Sequence, residues 1–190
     1  MIQRIDLRGQ SLGRRALLDV LPRAEVGVDE AVHVVEPLLR QVREGGAASL
    51  REISLRLDGI APQHLRVPAT ALADALDGLA PLVRRALEES IRRVRRVHAE
   101  QLPADHVTDV APGAVVRQRW IPVQRVGLYV PGGLAVYPSS VVMSVVAAQE
   151  AGVPGLAVTS PPQKDNGGLP HPTILAACAG CTPSSSRPTT

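Results

Sequence analysis

The stretch "RVGLYVPGGLAVYPSSVVMSVVAAQEAGV", residues 125–153, decides how the chain is read. An apolar run over residues 126–130 stops at Pro131-Gly132-Gly133, and Ser139 and Ser140 stand ahead of a second apolar run. The first run predicts a strand, and the second predicts a helix over residues 139–151 closed by Gly152. "GLAVTSPP", residues 155–162, predicts another short strand, continuously apolar and therefore buried on both faces. "HPTILAACA", from His171, opens a further helix. Strand, helix, strand, helix is the opening of a parallel α/β sheet.

A strand that feeds a Gly-Gly loop and then a helix N-terminus suits an anion or a dinucleotide. Glycines let the backbone come close, and free N–H groups with the helix dipole favour negative charge. Ser139 or Ser140 is placed to cap that helix. The loop is neither G-x-G-x-x-G nor a P-loop, and most Pro-Gly-Gly turns are only turns.

Upstream, the chain reads as helical. From Asp29, Val32, Val35, Leu38, Leu39 and Val42 recur at helical spacing until Gly45-Gly46, with a kink expected at Pro37. Leu50, Ile53 and Leu57 predict a second helix stopped at Asp58-Gly59, and Pro68 starts a third. "PLVRRALEESIRRVRRVHAEQL", from Pro81, carries Val83, Leu87, Ile91, Val94 and His98 on one face, with Glu88–Arg92 and Glu89–Arg93 as expected i,i+4 pairs. The period then changes. Alternation from Val115 to Trp120 and the Pro112-Gly113 turn predict two antiparallel strands before residue 125.

Composition sets limits. With 190 residues, 45% apolar and 21% charged, the chain is ordinary globular material, long enough for a real core. Trp120, Tyr129 and Tyr137 are the only aromatic residues, so Leu, Val, Ile and Ala must fill that core. The net charge is +3, and every basic residue but Lys164 is Arg. Arg92, Arg93, Arg95 and Arg96 share their helix with Glu88, Glu89 and Glu100, which reads as a solvated face and not as a nucleic-acid surface. "MIQRIDLRGQ" lacks the apolar core of a signal peptide, and the run at residues 141–148 is far below the roughly 20 residues that span a bilayer. A cytoplasmic protein is expected.

The longer string "RVGLYVPGGLAVYPSSVVM", with the later "EAGV" and "SPPQ", resembles histidinol dehydrogenase. "VREGGAASLREISLRLDG" is similar to another region of that family, with Gly46 and Leu57 where Asp and Phe are usual, and the resemblance covers residues 25–179. It implies an NAD-dependent, zinc-containing oxidoreductase, a homodimer at full length, that takes L-histidinol through an aldehyde to L-histidine. It implies a fold with a helical N-terminal segment followed by the start of an incomplete Rossmann-like parallel sheet. The expected division is residues 1–124, mainly helical and ending in the antiparallel pair; 125–179, the beginning of the NAD-binding domain; and 180–190, an irregular, disordered tail.

By the same resemblance Tyr129 lines the NAD site. Its ring can pack on the nucleotide while its hydroxyl makes a directed hydrogen bond. Pro131, Gly132, Gly133, Ser139 and Ser140 are further pocket candidates in the same loop. The family's zinc ligands (two His, a Gln and an Asp), its catalytic Glu-His pair and its "GGAQA" segment match nothing in these 190 residues, so no catalytic residue and no metal ligand is assigned. The expectation is an N-terminal portion of the enzyme. "GCTPSSSRPTT" then follows from a reading-frame change or premature stop. Such a chain should bind NAD poorly, oxidise no histidinol and aggregate through its open sheet edge. A non-catalytic NAD-binding or assembly fragment is the alternative.

The remaining candidates read as structure. His33, His64, His98, His106 and His171 lack metal-ligand spacing. Cys178 and Cys181 form a C-x-x-C at the wrong end of a helix to lower a thiol pKa, and Cys181 falls beyond residue 179.

Overall fold

The computed structural model describes residues 5–21, 28–133 and 135–182. Two compact units form, residues 1–44 and 45–190. The first holds α1 (Arg14–Val20) and the opening of α2 (Val28–Leu57). Pro37 lies inside α2, but the kink falls at Gly46, whose φ of 56° and ψ of −132° are non-helical. Only a residue without Cβ takes that conformation cheaply, so the glycine decides the break and the proline does not. The helix expected after Gly46 forms and ends at Leu57.

The second unit adds α3 (Ala69–Asp77), α4 (Pro81–Glu100), α5 (Pro138–Glu150) and α6 (Pro172–Cys181). It also holds the strands β1 (His106–Ala111), β2 (Ala114–Gln118), β3 (Arg125–Tyr129) and β4 (Gly155–Thr159). β1 and β2 pair antiparallel around the Pro112-Gly113 turn. β3 and β4 pair parallel, with Tyr129 opposite Thr159, and α5 lies between them in sequence.

The core sits under the parallel pair. Val130, Val141, Val142, Val145, Val146, Ile174, Ala177 and Cys181 are buried together, joined by Ile91 of α4. Leu87 and Val94 pack against this cluster, so the middle of the expected face of α4 turns inward while Val83, at its start, is exposed. Each such aliphatic side chain contributes about 1.5–3 kcal/mol when fully buried. A polar clamp crosses the three helices. Arg95 donates to Glu150 at 2.8 Å and to Gln149 at 2.9 Å, and Gln149 donates to the Cys181 carbonyl at 2.8 Å.

Three expectations are corrected. β4 is not buried on both faces: Leu156 and Val158 are half-buried while Ala157 and Thr159 are exposed, because nothing among the described residues covers the second face. Glu89 pairs with Arg93 as expected, but Glu88 pairs with Arg84, and Arg92 joins Glu89. Helical neighbours three and four residues apart compete on an exposed face, and little energy separates the choices. α6 includes Gly180 and Cys181, two residues into the stretch expected to be irregular. The rest of that stretch, residues 183–190, lies outside the described residues.

Candidate functional site

The site is built at the carboxyl end of β3. The Val130 N–H donates to the Thr159 carbonyl at 2.8 Å, carrying the parallel pairing one residue past the strand. Pro131 then offers no N–H, and the ladder stops. Gly132 is buried at the turn. A Cβ there would stand 2.6 Å from Ser160 Oγ and 2.8 Å from Ile174 Cδ1. The glycine is required by close approach to β4 and α6, not by its φ. Its carbonyl accepts a hydrogen bond from Gln163 Nε2, which ties the loop after β3 to the loop after β4.

The chain returns to α5 with the Tyr137 N–H donating to the Pro131 carbonyl at 3.4 Å. The helix begins one residue earlier than expected. Tyr137 is its N-cap and Pro138 its first residue, where a missing N–H costs nothing. Ser139 and Ser140 are thus inside the first turn, and no side chain caps the helix. The predicted capping role is therefore wrong: Pro138 sets the helical φ before either serine is reached.

Tyr129 is 65% exposed, on the same open sheet face as Gly127, Ala157 and Thr159. Pro131, Gly133 and Ser139 are also exposed, Ser140 is half-buried, and Gly132 is hidden beneath them. Leu134 lies outside the described residues. The structure thus brings the predicted residues to one place, at the carboxyl ends of two parallel strands. Open α/β sheets bind ligands at that end.

The second loop supplies residues that sequence reasoning passed over. Besides Gln163, the Asn166 side chain donates to the Pro170 carbonyl at 2.6 Å. His171 caps α6, its Nδ1 accepting from the Thr173 N–H at 3.2 Å, so this imidazole is structural. Ser160 Oγ is buried without a hydrogen-bond partner. The signal for Gln163 was its place in "SPPQ", directly after a strand parallel to the one that ends in Pro-Gly-Gly.

The other titratable candidates bring no chemistry to this loop. His98 Nδ1 bonds Gln101 Oε1 at 2.8 Å. Burial pushes the thiols of Cys178 and Cys181 up to about 11, so both are protonated near neutrality and unreactive. Among the described residues no three His, Cys, Asp or Glu side chains come together to hold a metal ion. No helix among them is long and apolar enough to cross a membrane. A separate cavity of about 590 Å³ lies along β4, walled by Leu72, Leu156, Val158, Ile174 and Cys178.

Comparison with known proteins agrees with this architecture. The family model described as histidinol dehydrogenase matches residues 21–184, which takes in Cys181 and extends past residue 179. A histidinol dehydrogenase of Thermobifida fusca is 61% identical over 179 residues, covering 94% of this chain and 40% of that protein. One of Nocardia farcinica is 58% identical, with 94% and 40% covered. The crystal structure of histidinol dehydrogenase from Elizabethkingia anophelis matches with a TM-score of 0.75 at 20% identity, over 85% of this chain and 36% of that one. The chain spans about 40% of the length of the curated relatives it matches.

Proposed function

This chain belongs to the histidinol dehydrogenase family, and from that premise we propose that it builds one wall of a nicotinamide-dinucleotide cleft. The whole enzyme would oxidise L-histidinol through the aldehyde to L-histidine, as a cytoplasmic homodimer. Residues 125–179 are read as the beginning of a Rossmann-like NAD-binding domain, after a mainly helical segment over residues 1–124.

The position of Tyr129 carries the reading. Its ring is exposed at the carboxyl end of a parallel strand, beside a loop that leads to the amino end of α5. The ring offers a face to a planar group and its hydroxyl a directed hydrogen bond. The first turn of α5 favours a phosphate through its N–H groups and dipole. Gly132 lets the loop pack closely against Ser160 and Ile174, and Gln163 holds it there. NAD, when bound, supplies the hydride acceptor; these residues bind and orient it. The zinc ligands and the acid–base pair belong, in this reading, to the part of the enzyme that the chain does not span. No step through a metal is assigned to the residues described here.

A titration of isotope-labelled chain with NAD, followed by amide NMR, tests the proposal. Binding is expected near the millimolar range, about −4 kcal/mol, because only one wall is present. The Gly133 and Ser139 amides should shift, and Tyr129→Ala should weaken the response several-fold. The purified chain should oxidise no histidinol. Shifts confined to the β1–β2 hairpin would refute this reading. The assembly-fragment alternative has one observation in its favour, the uncovered sheet face at Gly127, Tyr129, Ala157 and Thr159.

A further inference from the structure

We infer that Gln163 is a positioning residue: by holding the Gly132 carbonyl it turns the Gly132–Gly133 peptide so that the Gly133 N–H faces outward, as a donor to a phosphate oxygen. The inference rests on the cleft reading and names the chemical group that the loop holds. Gln163 Nε2 donates to the Gly132 carbonyl. No peptide bond among the described residues is cis. In a trans peptide the N–H lies opposite the C=O. A carbonyl drawn toward Gln163 therefore sends the Gly133 N–H the other way. Gly133 is exposed, and among the described residues nothing accepts that N–H.

A Gly-Gly peptide needs such a hold. Turns that differ by a flip of the central peptide are both open to glycine, so backbone preference alone does not choose between them. Gln163 chooses, and it is itself fixed. Its N–H donates to the Leu169 carbonyl at 3.0 Å, and its carbonyl accepts from the Gly168 N–H at 2.9 Å. Gly168, at a φ of 80°, lies against Ile60 and Pro62. The loop after β4 is thus seated on the segment that follows α2, a support independent of the loop it holds. Gly133 supplies a second observation. Its φ is not positive, and a Cβ built there would meet nothing within 4 Å. Neither strain nor packing among the described residues asks for glycine at this position. What a side chain there would obstruct is the approach of an outside group to the N–H, and glycine is used where backbone meets a ligand closely.

The test is an amide NMR titration of the full chain with inorganic pyrophosphate and, separately, with NAD, against sodium chloride of equal ionic strength. The Gly133 amide should move with both phosphate ligands and not with chloride. Gln163→Leu removes the side-chain donor, and Gln163→Glu keeps the size but offers only acceptors at neutral pH. Each should weaken the Gly133 response about ten-fold, the loss of one hydrogen bond to a charged group. Without ligand, both should change the residual dipolar coupling of the Gly133 N–H, while the amides of α5 and α6 keep theirs and show that the fold is intact. Gly133→Ala should weaken pyrophosphate binding with no change in the urea midpoint, which a merely structural glycine would not do. A Gly133 response as strong in both Gln163 variants as in the unchanged chain overturns the inference and leaves the cleft reading standing. An unchanged N–H coupling in both variants also overturns it, as does a Gly133 amide that ignores pyrophosphate. Shifts that chloride reproduces mean an adventitious ion only, and overturn it too. A chain that answers pyrophosphate through Gln163 but not NAD supports the inference and refutes the dinucleotide reading.

Discussion

The β1–β2 hairpin and the β3–α5–β4–α6 segment are both two-stranded, yet they are held by opposite means. Every residue of β1 and β2 is exposed. Val107, Val110, Val115 and Val116 show apolar surface to solvent, as do Trp120 and Ile121 just after. What holds the pair is local: a Pro-Gly turn and a ladder between residues a few positions apart. The parallel pair cannot close locally, because its strands are joined through a whole helix. It exists because Leu128, Val130, Leu156 and Val158 lie on α5, α6 and α4. Turn chemistry alone brings antiparallel strands together, whereas parallel pairing forms only with the core that covers it.

This contrast can be broken by mutation, and the core should answer most strongly. Ile174→Ala empties a site 1% exposed, in contact distance of Gly132, and should cost about 2–5 kcal/mol. Urea unfolding read by circular dichroism measures it. Equal losses from hairpin substitutions would erase the distinction between the two pairs.

Gly132→Ala comes next. Its new Cβ must displace Ser160 Oγ and Ile174 Cδ1, at a cost of about 1–3 kcal/mol. Ser160→Ala in the same chain should recover part of the loss, since it relieves one contact and removes an unpaired hydroxyl. No recovery would place the strain on the Ile174 side.

The thiols give a pH handle on the parallel segment alone. Both have folded pKa values raised to about 11 by burial, above the ordinary thiol value of 9.0. Between pH 9 and 11 the unfolded chain loses these protons while the folded chain keeps them. Stability should therefore be fully present below pH 9 and fall as pH rises through this window. Cys178→Ala should flatten the fall, read as the difference between the two urea midpoints across the window. An unchanged slope would mean that the thiol is wetter than its burial indicates.

The smallest effect is expected in the hairpin. Val110→Thr, on a side chain 60% exposed, should change stability by less than about 0.5 kcal/mol. Trp120, the only tryptophan, sits two residues past β2, where its backbone N–H donates to Asp105 Oδ1 at 2.9 Å, and its fluorescence reports that region. A loss above about 1 kcal/mol would mean that the hairpin is buried against a partner in solution.

Much of this was legible from residue pattern. The 3–4 spacing of Leu87, Ile91 and Val94 placed the inward face of α4, and Pro112-Gly113 placed the hairpin. Those signals are local, and local geometry obeys them. A helix stop was expected at Gly45-Gly46 and a kink at Pro37; the stop is real, because Gly46 takes a positive φ, while the helix runs through Pro37. The site was half legible. Tyr129 and the Pro-Gly-Gly loop stood out in one stretch of sequence, while Gln163 lies 31 residues from the carbonyl it holds, and its place in "SPPQ" marks a loop after a strand but not the residue it bonds.

By itself, the sequence determined where the helices and strands lie, which family the chain resembles, and that a glycine-rich loop follows an apolar strand ahead of a helix. Periodicity, turn residues and short-range sterics act within a few residues, so they can be read along the chain. Only the tertiary structure decided that the parallel pair leaves one face bare, that Gly132 is a packing glycine beneath the loop, and that Gln163 fastens that loop. These depend on which surfaces meet across tens of residues, and contact between distant segments is set by how the core closes, not by any single stretch.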